Sequence, residues 1–312
     1  MKHLKKLLCG LLAAALMLCA LPAAALAEGA PAQPTRTERL EITAETPATD
    51  MLAAEGWKWQ PSDGGGTLTL KNCYIRAEGS ANRGVVHFEG MENVTIHLEG
   101  ENKVETTQTS GAYLLHGSVN FTFTAEEGAS LSLAVPNDIT QTAGVYGFFA
   151  DSITLCSGNI TCNTEFCLAD HDINIQGGSL TIDAGRMEGS DGIYTNLGSV
   201  NISGGNVNIH GGRTGIMTAG VGATGTEALA VNITGGNVTI KADNPGEGAR
   251  GDGIYAKNVI IDTNGKVTVY GSDVAIDLPK ENGKADILNM GKGSSISVAD
   301  TLSLIHIYLG HL

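Results

Sequence analysis

The sequence has few aromatic residues, few prolines and few positive charges. Aromatic residues make up 5% of the 312 residues, and there are 8 prolines. So few large rings favour a narrow core of stacked Ile, Val and Leu over a broad globular core. Lysine and arginine number 19 against 33 aspartates and glutamates, which gives a formal net charge of −14. We therefore do not expect the chain to bind nucleic acid or an anionic lipid surface, unless a cation bridges them.

Glycine, by contrast, is abundant, and it marks a repeated phrase. The 42 glycines are about twice the usual share of roughly 7%. Two short runs with apolar residues at alternate positions flank a glycine corner in five places: 153–162, 173–182, 200–209, 231–240 and, more loosely, 259–269. The glycine before the second run recurs at spacings of 20, 27, 31 and 29 residues. Such a period is typical of a solenoid, and the alternation is typical of half-buried strands.

A second phrase lies between these copies. It contains Gly-Ile within Ser190–Thr195, Arg213–Thr218 and Gly251–Ala256, with a weaker copy at Ser272–Ile276. Each coil then has three short strands, and no helical pattern separates them. The sequence therefore predicts an all-β parallel β-helix, which is a solenoid with three short strands per coil.

The sequence divides into four segments. Residues 1–27 have a lysine-rich start, an apolar stretch and an Ala-Leu-Ala end, which predicts a secretory signal peptide and a secreted protein. Residues 28–47 are rich in Ala, Pro, Thr and Glu and predict a linker. Residues 48–300 are the predicted β-helix with an N-terminal cap. Residues 301–312 include Leu302–Ile307, which looks like the translation of a transposon end used in sequencing libraries, so we expect a non-native tail on a truncated chain. The alternative is a native final strand.

Two tryptophans and four cysteines have more than one interpretation. Trp57 and Trp59 could cover the open end of the stack or could stack on sugar. Four cysteines follow the signal: Cys73, Cys156, Cys162 and Cys167. An exported protein can pair such cysteines, and Cys162 with Cys167 is the nearest candidate pair. The alternative is unpaired thiols that behave as small apolar residues inside the coils.

Several phrases of the chain resemble a known family. The Gly-Trp-Lys-Trp opening and the phrase Leu98–Val104 resemble extracellular repeat proteins of Gram-positive gut anaerobes. The later Gly-Asp-Gly-Ile and Ile-Ser-Gly-Gly-Asn-Val phrases are similar to the clostridial carbohydrate-binding β-helix family. The resemblance covers most of Trp57–Ile276. It implies a right-handed parallel β-helix similar to pectate lyases, binding to plant cell-wall polysaccharide, and bound calcium.

The Gly-Ile phrases predict one outward column of side chains. In each of them Ile points inward, so Tyr194, Met217 and Tyr255 should line the outside, and tyrosine rings stack on sugars. Two tyrosines two coils apart would lie about 10 Å apart, near the length of a two-sugar unit. The alternative is tyrosines chosen for strand propensity. Arg213 and Arg250 precede two of these strands and are predicted to share the sugar-binding face.

Aspartates cluster at the corners of the predicted coils. The candidate metal ligands are Asp191 and Asp252 at matched corners, Asp273 at a similar one, and Asp170 and Asp172 one coil earlier. Thr214 interrupts the matched column. Aligned carboxylates repel unless solvated or bridged by a cation, and Ca²⁺ binds several such oxygens. The alternative is turn capping, in which Asp bonds to its own backbone. The histidines at 87, 97 and 116 have no metal-ligand spacing.

Together these patterns predict a secreted or cell-surface protein that binds an extended polysaccharide of plant cell wall or mucosal glycan without cleaving it. No compact acid pair or nucleophile motif assigns a catalytic residue. Calcium is the predicted ion, and no membrane span is predicted. Two alternatives remain open. One is a calcium-dependent pectate-type lyase, and the other is a stalk or adhesin segment of a larger surface protein.

Overall fold

The computed structural model describes residues 35–108, 110–135, 144–185, 189–218, 229–243, 251–278, 287–290 and 296–298. All of them belong to one unit, Pro34–Leu312. These residues form strands and turns without any helix, which confirms the predicted all-β class. Within them, accordingly, no helix has the length and apolar character needed to cross a bilayer.

The strands form three sheets, A, B and C. For each sheet the strands are named in their spatial order, so that consecutive names are hydrogen-bonded neighbours. Sheet A contains β1 (Thr35–Arg36), β6 (Tyr74–Ala77), β9 (Glu101–Thr106), β12 (Ser130–Ala134), β15 (Asn159–Cys162), β18 (Ser179–Asp183), β21 (Asn206–Gly211), β24 (Asn237–Ala242), β27 (Val267–Gly271) and β30 (Ile296–Val298). Sheet B contains β2 (Leu40–Thr43), β7 (Val86–Glu89), β10 (Ala112–His116), β13 (Val145–Ala150), β16 (Glu165–Ala169), β19 (Asp191–Thr195), β22 (Thr214–Thr218), β25 (Asp252–Tyr255) and β28 (Ile276–Asp277). Sheet C contains β3 (Thr49–Met51), β4 (Trp57–Ser62), β5 (Gly65–Lys71), β8 (Asn93–Glu99), β11 (Asn120–Ala125), β14 (Ser152–Leu155), β17 (Ile173–Ile175), β20 (Val200–Ile202), β23 (Ala230–Ile233), β26 (Asn258–Ile261) and β29 (Ile287–Met290).

The chain passes through sheets C, A and B in turn, and each coil adds one strand to each sheet. Neighbouring named strands pair in parallel, except in the antiparallel ribbon β3–β4–β5. Apolar residues of successive coils lie opposite one another: Val200, Val231 and Val259 are in register, and each is fully buried. Because burying one such side chain stabilises the fold by about 1.5–3 kcal/mol, this in-register stack holds the coils together. The predicted three-strand parallel solenoid is confirmed.

Glycines allow the corners for two different reasons. At the Gly-Gly corners, Gly178, Gly205 and Gly236 have φ of +72°, +82° and +79°, a region that glycine enters without steric cost. In the Gly-Ile phrase, glycine is required instead because a side chain would clash with the neighbouring residues. A Cβ on Gly192 would lie 2.4 Å from Cγ2 of Ile209 and 2.6 Å from the carbonyl oxygen of the glycine one coil further on. Glycine there lets adjacent coils approach closely.

The predicted linker over residues 28–47 is wrong in its described part. Strand β2 pairs in parallel with β7, and its Leu40 and Ile42 are buried. The strand is only four residues long, so its alternating pattern was hidden in a stretch with a linker-like composition. The first described coil therefore begins before residue 48.

The two tryptophans lie in the antiparallel ribbon at the edge of sheet C. Both indoles are buried, and Trp59 packs 6.3 Å from the ring of Phe88. The Trp57 Nε1–H donates to Glu55 Oε2 at 2.7 Å, and the Trp59 Nε1–H donates to the Thr46 carbonyl at 3.2 Å. Buried rings with satisfied N–H groups have no face left for sugar, which removes that interpretation of the pair.

The described cysteines are unpaired. Cys73 and Cys162 are buried, and burial raises the pKa of their thiols to about 12 and about 11 respectively. They are the small apolar residues of the second interpretation, and Cys162 is a free thiol rather than half of the candidate disulfide. The predicted signal peptide 1–27 and tail 301–312 lie outside the described residues.

Candidate functional site

The outer side of sheet B has two columns of side chains in register across its strands. One column contains the side chains of His87, His116, Phe149, Tyr194, Met217 and Tyr255, and the backbone of Leu168 pairs between Phe149 and Tyr194. The other contains Tyr113, Tyr146 and Glu165 on β10, β13 and β16, followed by the buried Asp191, Thr214 and Asp252 on β19, β22 and β25. A hydrogen bond from the Asp191 N–H to Glu165 joins the two halves of this column. Adjacent strands lie about 4.8 Å apart, so five consecutive strands from β10 to β22 span about 19 Å.

The register predicted for Tyr194, Met217 and Tyr255 is confirmed by the pairing of β19, β22 and β25. Tyr194 and Met217 are partly exposed. Tyr255 differs from the prediction, because only 8% of its surface is exposed. Strand alternation predicts which way a side chain points, but not what other parts of the chain cover it. Of the two tyrosines, Tyr194 is the one open to a ligand.

An ion pair lies next to Tyr194. Arg213 ends the corner before β22, and its Nε donates to Asp191 Oδ1 at 3.1 Å while its Nη2 donates to Oδ2. The Asp191 side chain is 4% exposed and that of Arg213 is 39% exposed. The corner is held by Ser190, whose hydroxyl donates to the Ala184 carbonyl at 2.6 Å. The guanidinium therefore covers the carboxylate, and its Nη2 also lies 3.7 Å from Met217 Sδ. The side chain remains partly exposed to solvent.

A second carboxyl group lies one strand away. Glu165 begins β16, and its Oε1 accepts the backbone N–H of Asp191 at 3.3 Å. Burial raises the pKa of Glu165 to about 7, and the charge of Asp191 adds to this effect. Burial also raises the pKa of Asp191, while the hydrogen bonds from Arg213 oppose the rise. The pair therefore contains one carboxyl group that is partly protonated near neutral pH and one that the guanidinium holds.

Two tyrosines flank this pair. Tyr146 precedes Glu165 in the same column, and Tyr194 lies three residues after Asp191 on the same strand. Burial, followed by the neighbouring carboxylates, raises the pKa of both phenols, so each keeps its hydroxyl proton at neutral pH. We call Tyr146, Glu165, Asp191, Tyr194 and Arg213 the tyrosine–carboxyl site.

An aromatic cluster continues from this site towards the N-terminal coils. Tyr113 stacks on Tyr146 with ring centroids 5.2 Å apart, and His116 stacks on Phe149 at 4.8 Å. Tyr113 also meets Phe149 edge-on at 5.5 Å. These rings cover one another's faces and stabilise neighbouring coils. The sequence analysis missed them because the repeat is irregular there, although Val145-Tyr-Gly-Phe-Phe149 resembles the later Gly-Ile-Tyr phrases.

The structure does not bring the predicted calcium ligands together. Asp191 and Asp252 share a column with Thr214 between them, as predicted, and both are buried. Asp273 is exposed and lies beside Gly251, outside that column. Asp170 and Asp172 follow the far end of β16, where Asp172 Oδ1 accepts the Ser199 N–H at 2.7 Å.

Calcium at these residues stays a prediction that their positions do not favour. Asp191, which would be its central ligand, already has Arg213 on both carboxylate oxygens. Within the described chain, the side chains that could hold a metal ion form a different group on sheet C: His97, Glu99 and Glu126. Arg250, predicted to share the sugar-binding face, lies outside the described residues.

Comparison of the chain with protein-family models, with curated proteins and with solved structures found no significant match.

Proposed function

We propose that this chain is a secreted or cell-surface protein that binds an extended polysaccharide at the tyrosine–carboxyl site, along the outer face of sheet B. The observation that supports this most is the position of Tyr194. Its partly exposed ring lies three residues along the strand from Asp191, which Arg213 binds through two nitrogen atoms. An aromatic ring beside a planar set of N–H donors and carboxylate acceptors matches the two faces of a sugar, which are apolar C–H and polar hydroxyl.

The site can both donate hydrogen bonds to sugar hydroxyls and accept hydrogen bonds from them. Arg213 is partly exposed and has five N–H donors, of which two point at Asp191 and one at Met217 Sδ. Glu165, with a pKa of about 7, can donate or accept near neutral pH. The protonated tyrosine hydroxyls can do the same. Sugar hydroxyls are both donors and acceptors, so mixed partners of this kind suit them.

The charge of the site favours uncharged over acidic polysaccharides. The chain has a net charge of −14, and two carboxyl groups share the site with one guanidinium. A polyuronate would be repelled here unless a cation bridged it to the protein. The proposed ligand class is therefore a neutral plant cell-wall or mucosal glycan.

Affinity gel electrophoresis tests the proposal, with soluble arabinoxylan, mixed-linkage β-glucan and mucin freed of sialic acid and sulfate as uncharged probes, and polygalacturonate as the acidic probe. The wild-type chain is expected to be retarded by at least one of the uncharged probes, and Tyr194→Ala is expected to lose the retardation. The matched control is Tyr74→Ala, which removes a partly exposed tyrosine from sheet A. Equal retardation of the two variants, or none for the wild type, would overturn the proposal and favour a structural stalk segment.

Cleavage of the bound glycan is a second candidate function, and Glu165 is the observation that favours it. A half-buried carboxylic acid with a pKa of about 7 beside a second carboxyl group has the properties of a general acid. New reducing ends would indicate hydrolysis, and ultraviolet absorbance of unsaturated products would indicate a lyase. Loss of either signal in Glu165→Gln with retained gel retardation assigns the reaction to this residue. With neither signal in the wild type, binding remains the function.

A further inference from the structure

Three metal-ligating side chains from two coils meet on the outer face of sheet C. His97 and Glu99 alternate on β8, so they point to the same side of the sheet. Strand β11 pairs with β8 so that Thr124 lies opposite His97, and the register places Glu126 next to Glu99. One ligand atom from each of His97, Glu99 and Glu126 lies within 4.8 Å of the other two.

A hydroxyl group orients the imidazole of this group. His97 Nδ1 lies 3.0 Å from Thr124 Oγ1 on the neighbouring strand. When Nδ1–H donates to this oxygen, the lone pair is on Nε2, the nitrogen that remains for a ligand. Histidines that bind metal ions commonly donate their other ring N–H to such a partner, which fixes the tautomer and the ring orientation.

A positive charge already lies against the two carboxylates. Lys71 Nζ is 2.7 Å from Glu99 Oε2. The lysine side chain is 51% exposed, so it can move into solvent without leaving a buried cavity. Its ammonium is thus a monovalent competitor for the position that a divalent ion would take.

We propose that His97, Glu99 and Glu126 bind a divalent transition-metal ion of the zinc class, in competition with Lys71. One imidazole and two carboxylates form a mixed nitrogen and oxygen set, which zinc-class ions accept. Calcium and magnesium prefer oxygen alone, so the histidine selects against them. Three protein ligands leave coordination positions open for water or a ligand. This site is separate from the proposed glycan face on sheet B and does not depend on it.

Cobalt titration and calorimetry test the proposal on the full chain after treatment with a chelator. Wild-type protein is expected to bind one Co²⁺ with visible absorption bands, and Zn²⁺ should displace it. His97→Ala and Glu126→Gln should each bind Zn²⁺ at least about tenfold more weakly, since losing even an outer hydrogen-bond partner of a ligand costs about 10- to 100-fold. Lys71→Met should bind Zn²⁺ more tightly than wild type, because it removes the competing charge. His171→Ala, an exposed histidine beside Asp151, is the matched control and should not differ from wild type.

Three results would overturn the proposal. The first is wild-type Zn²⁺ binding that neither His97→Ala nor Glu126→Gln weakens. The second is Ca²⁺ binding at this site as strong as Zn²⁺ binding. The third is the absence of Co²⁺ bands and of measurable Zn²⁺ binding in both the wild type and Lys71→Met. Since all four substituted side chains are partly or fully exposed, circular dichroism should show the same fold in every variant.

Discussion

Arg213 and Asp191 are 22 residues apart in the sequence, yet they form a two-nitrogen ion pair across neighbouring coils. The Nε–Oδ1 distance is 3.1 Å, and the Asp191 side chain is 4% exposed. A carboxylate so deeply buried depends on this partner. The stability of β19 therefore depends on Arg213, which belongs to the next coil and is part of the proposed glycan site.

Replacing Arg213 with Met should lower the free energy of unfolding by about 3 to 5 kcal/mol, because it leaves a buried charge without its partner. Urea unfolding at neutral pH measures this. The matched control is Arg83→Met, which breaks an exposed pair with Glu41 and should cost less than about 1 kcal/mol. Similar losses for the two variants would contradict the dependence of Asp191 on Arg213.

The stability of the wild-type chain relative to Glu165→Gln should depend on pH. A folded pKa of about 7, raised from 4.5, means that the folded state binds more protons than the unfolded state between these values. The contribution of Glu165 to the free energy of unfolding therefore falls as pH rises from about 4.5 to about 7, by about 3 kcal/mol, and is constant above.

Glu165→Gln keeps an oxygen for the Asp191 N–H but cannot ionise. Relative to the wild type it should therefore gain stability as pH rises through this window, and the difference should level off above pH 7. Urea unfolding at pH values from 4 to 8 measures the difference. A difference that is constant with pH, or that moves in favour of the wild type as pH rises from 4.5 to 7, would contradict the raised pKa.

Tyr255 and Tyr194 should respond differently to substitution, although they lie in one column. Tyr255→Ala should destabilise the chain by about 3 kcal/mol because it leaves a cavity at a residue that is 8% exposed. Tyr194→Ala should cost about 1 kcal/mol, since its ring is partly exposed. Thermal and urea unfolding of both variants check this. Equal costs would mean that the two rings have the same burial in solution.

Calcium should stabilise the Arg213→Met variant more than the wild type. The guanidinium and a calcium ion would compete for the same Asp191 oxygens, so removing Arg213 makes them available. The measurement is the melting temperature of both proteins in excess calcium and in excess chelator. An equal shift in the two proteins would place any calcium away from Asp191, and the prediction for this corner would be wrong.

The regular part of the candidate site could be predicted from the sequence. The column of Tyr194, Met217 and Tyr255 follows from three copies of one phrase, because identical phrases take identical places in successive coils. Glu165 could not be found in this way, since Glu165-Phe-Cys does not match the Asp-Gly-Ile phrase. Only the backbone pairing places its carboxyl beside Asp191.

The sequence by itself determined the all-β class, the three strands per coil and the glycine corners, because these depend on local alternation and on φ angles that glycine alone adopts readily. Tertiary structure decided which outward residues meet. Coil lengths vary, so the partner of each side chain lies at no constant distance along the chain, as Glu99 with Glu126 and Asp191 with Arg213 illustrate. It also decided burial, as at Tyr255, since coverage of a face comes from residues that strand alternation does not identify.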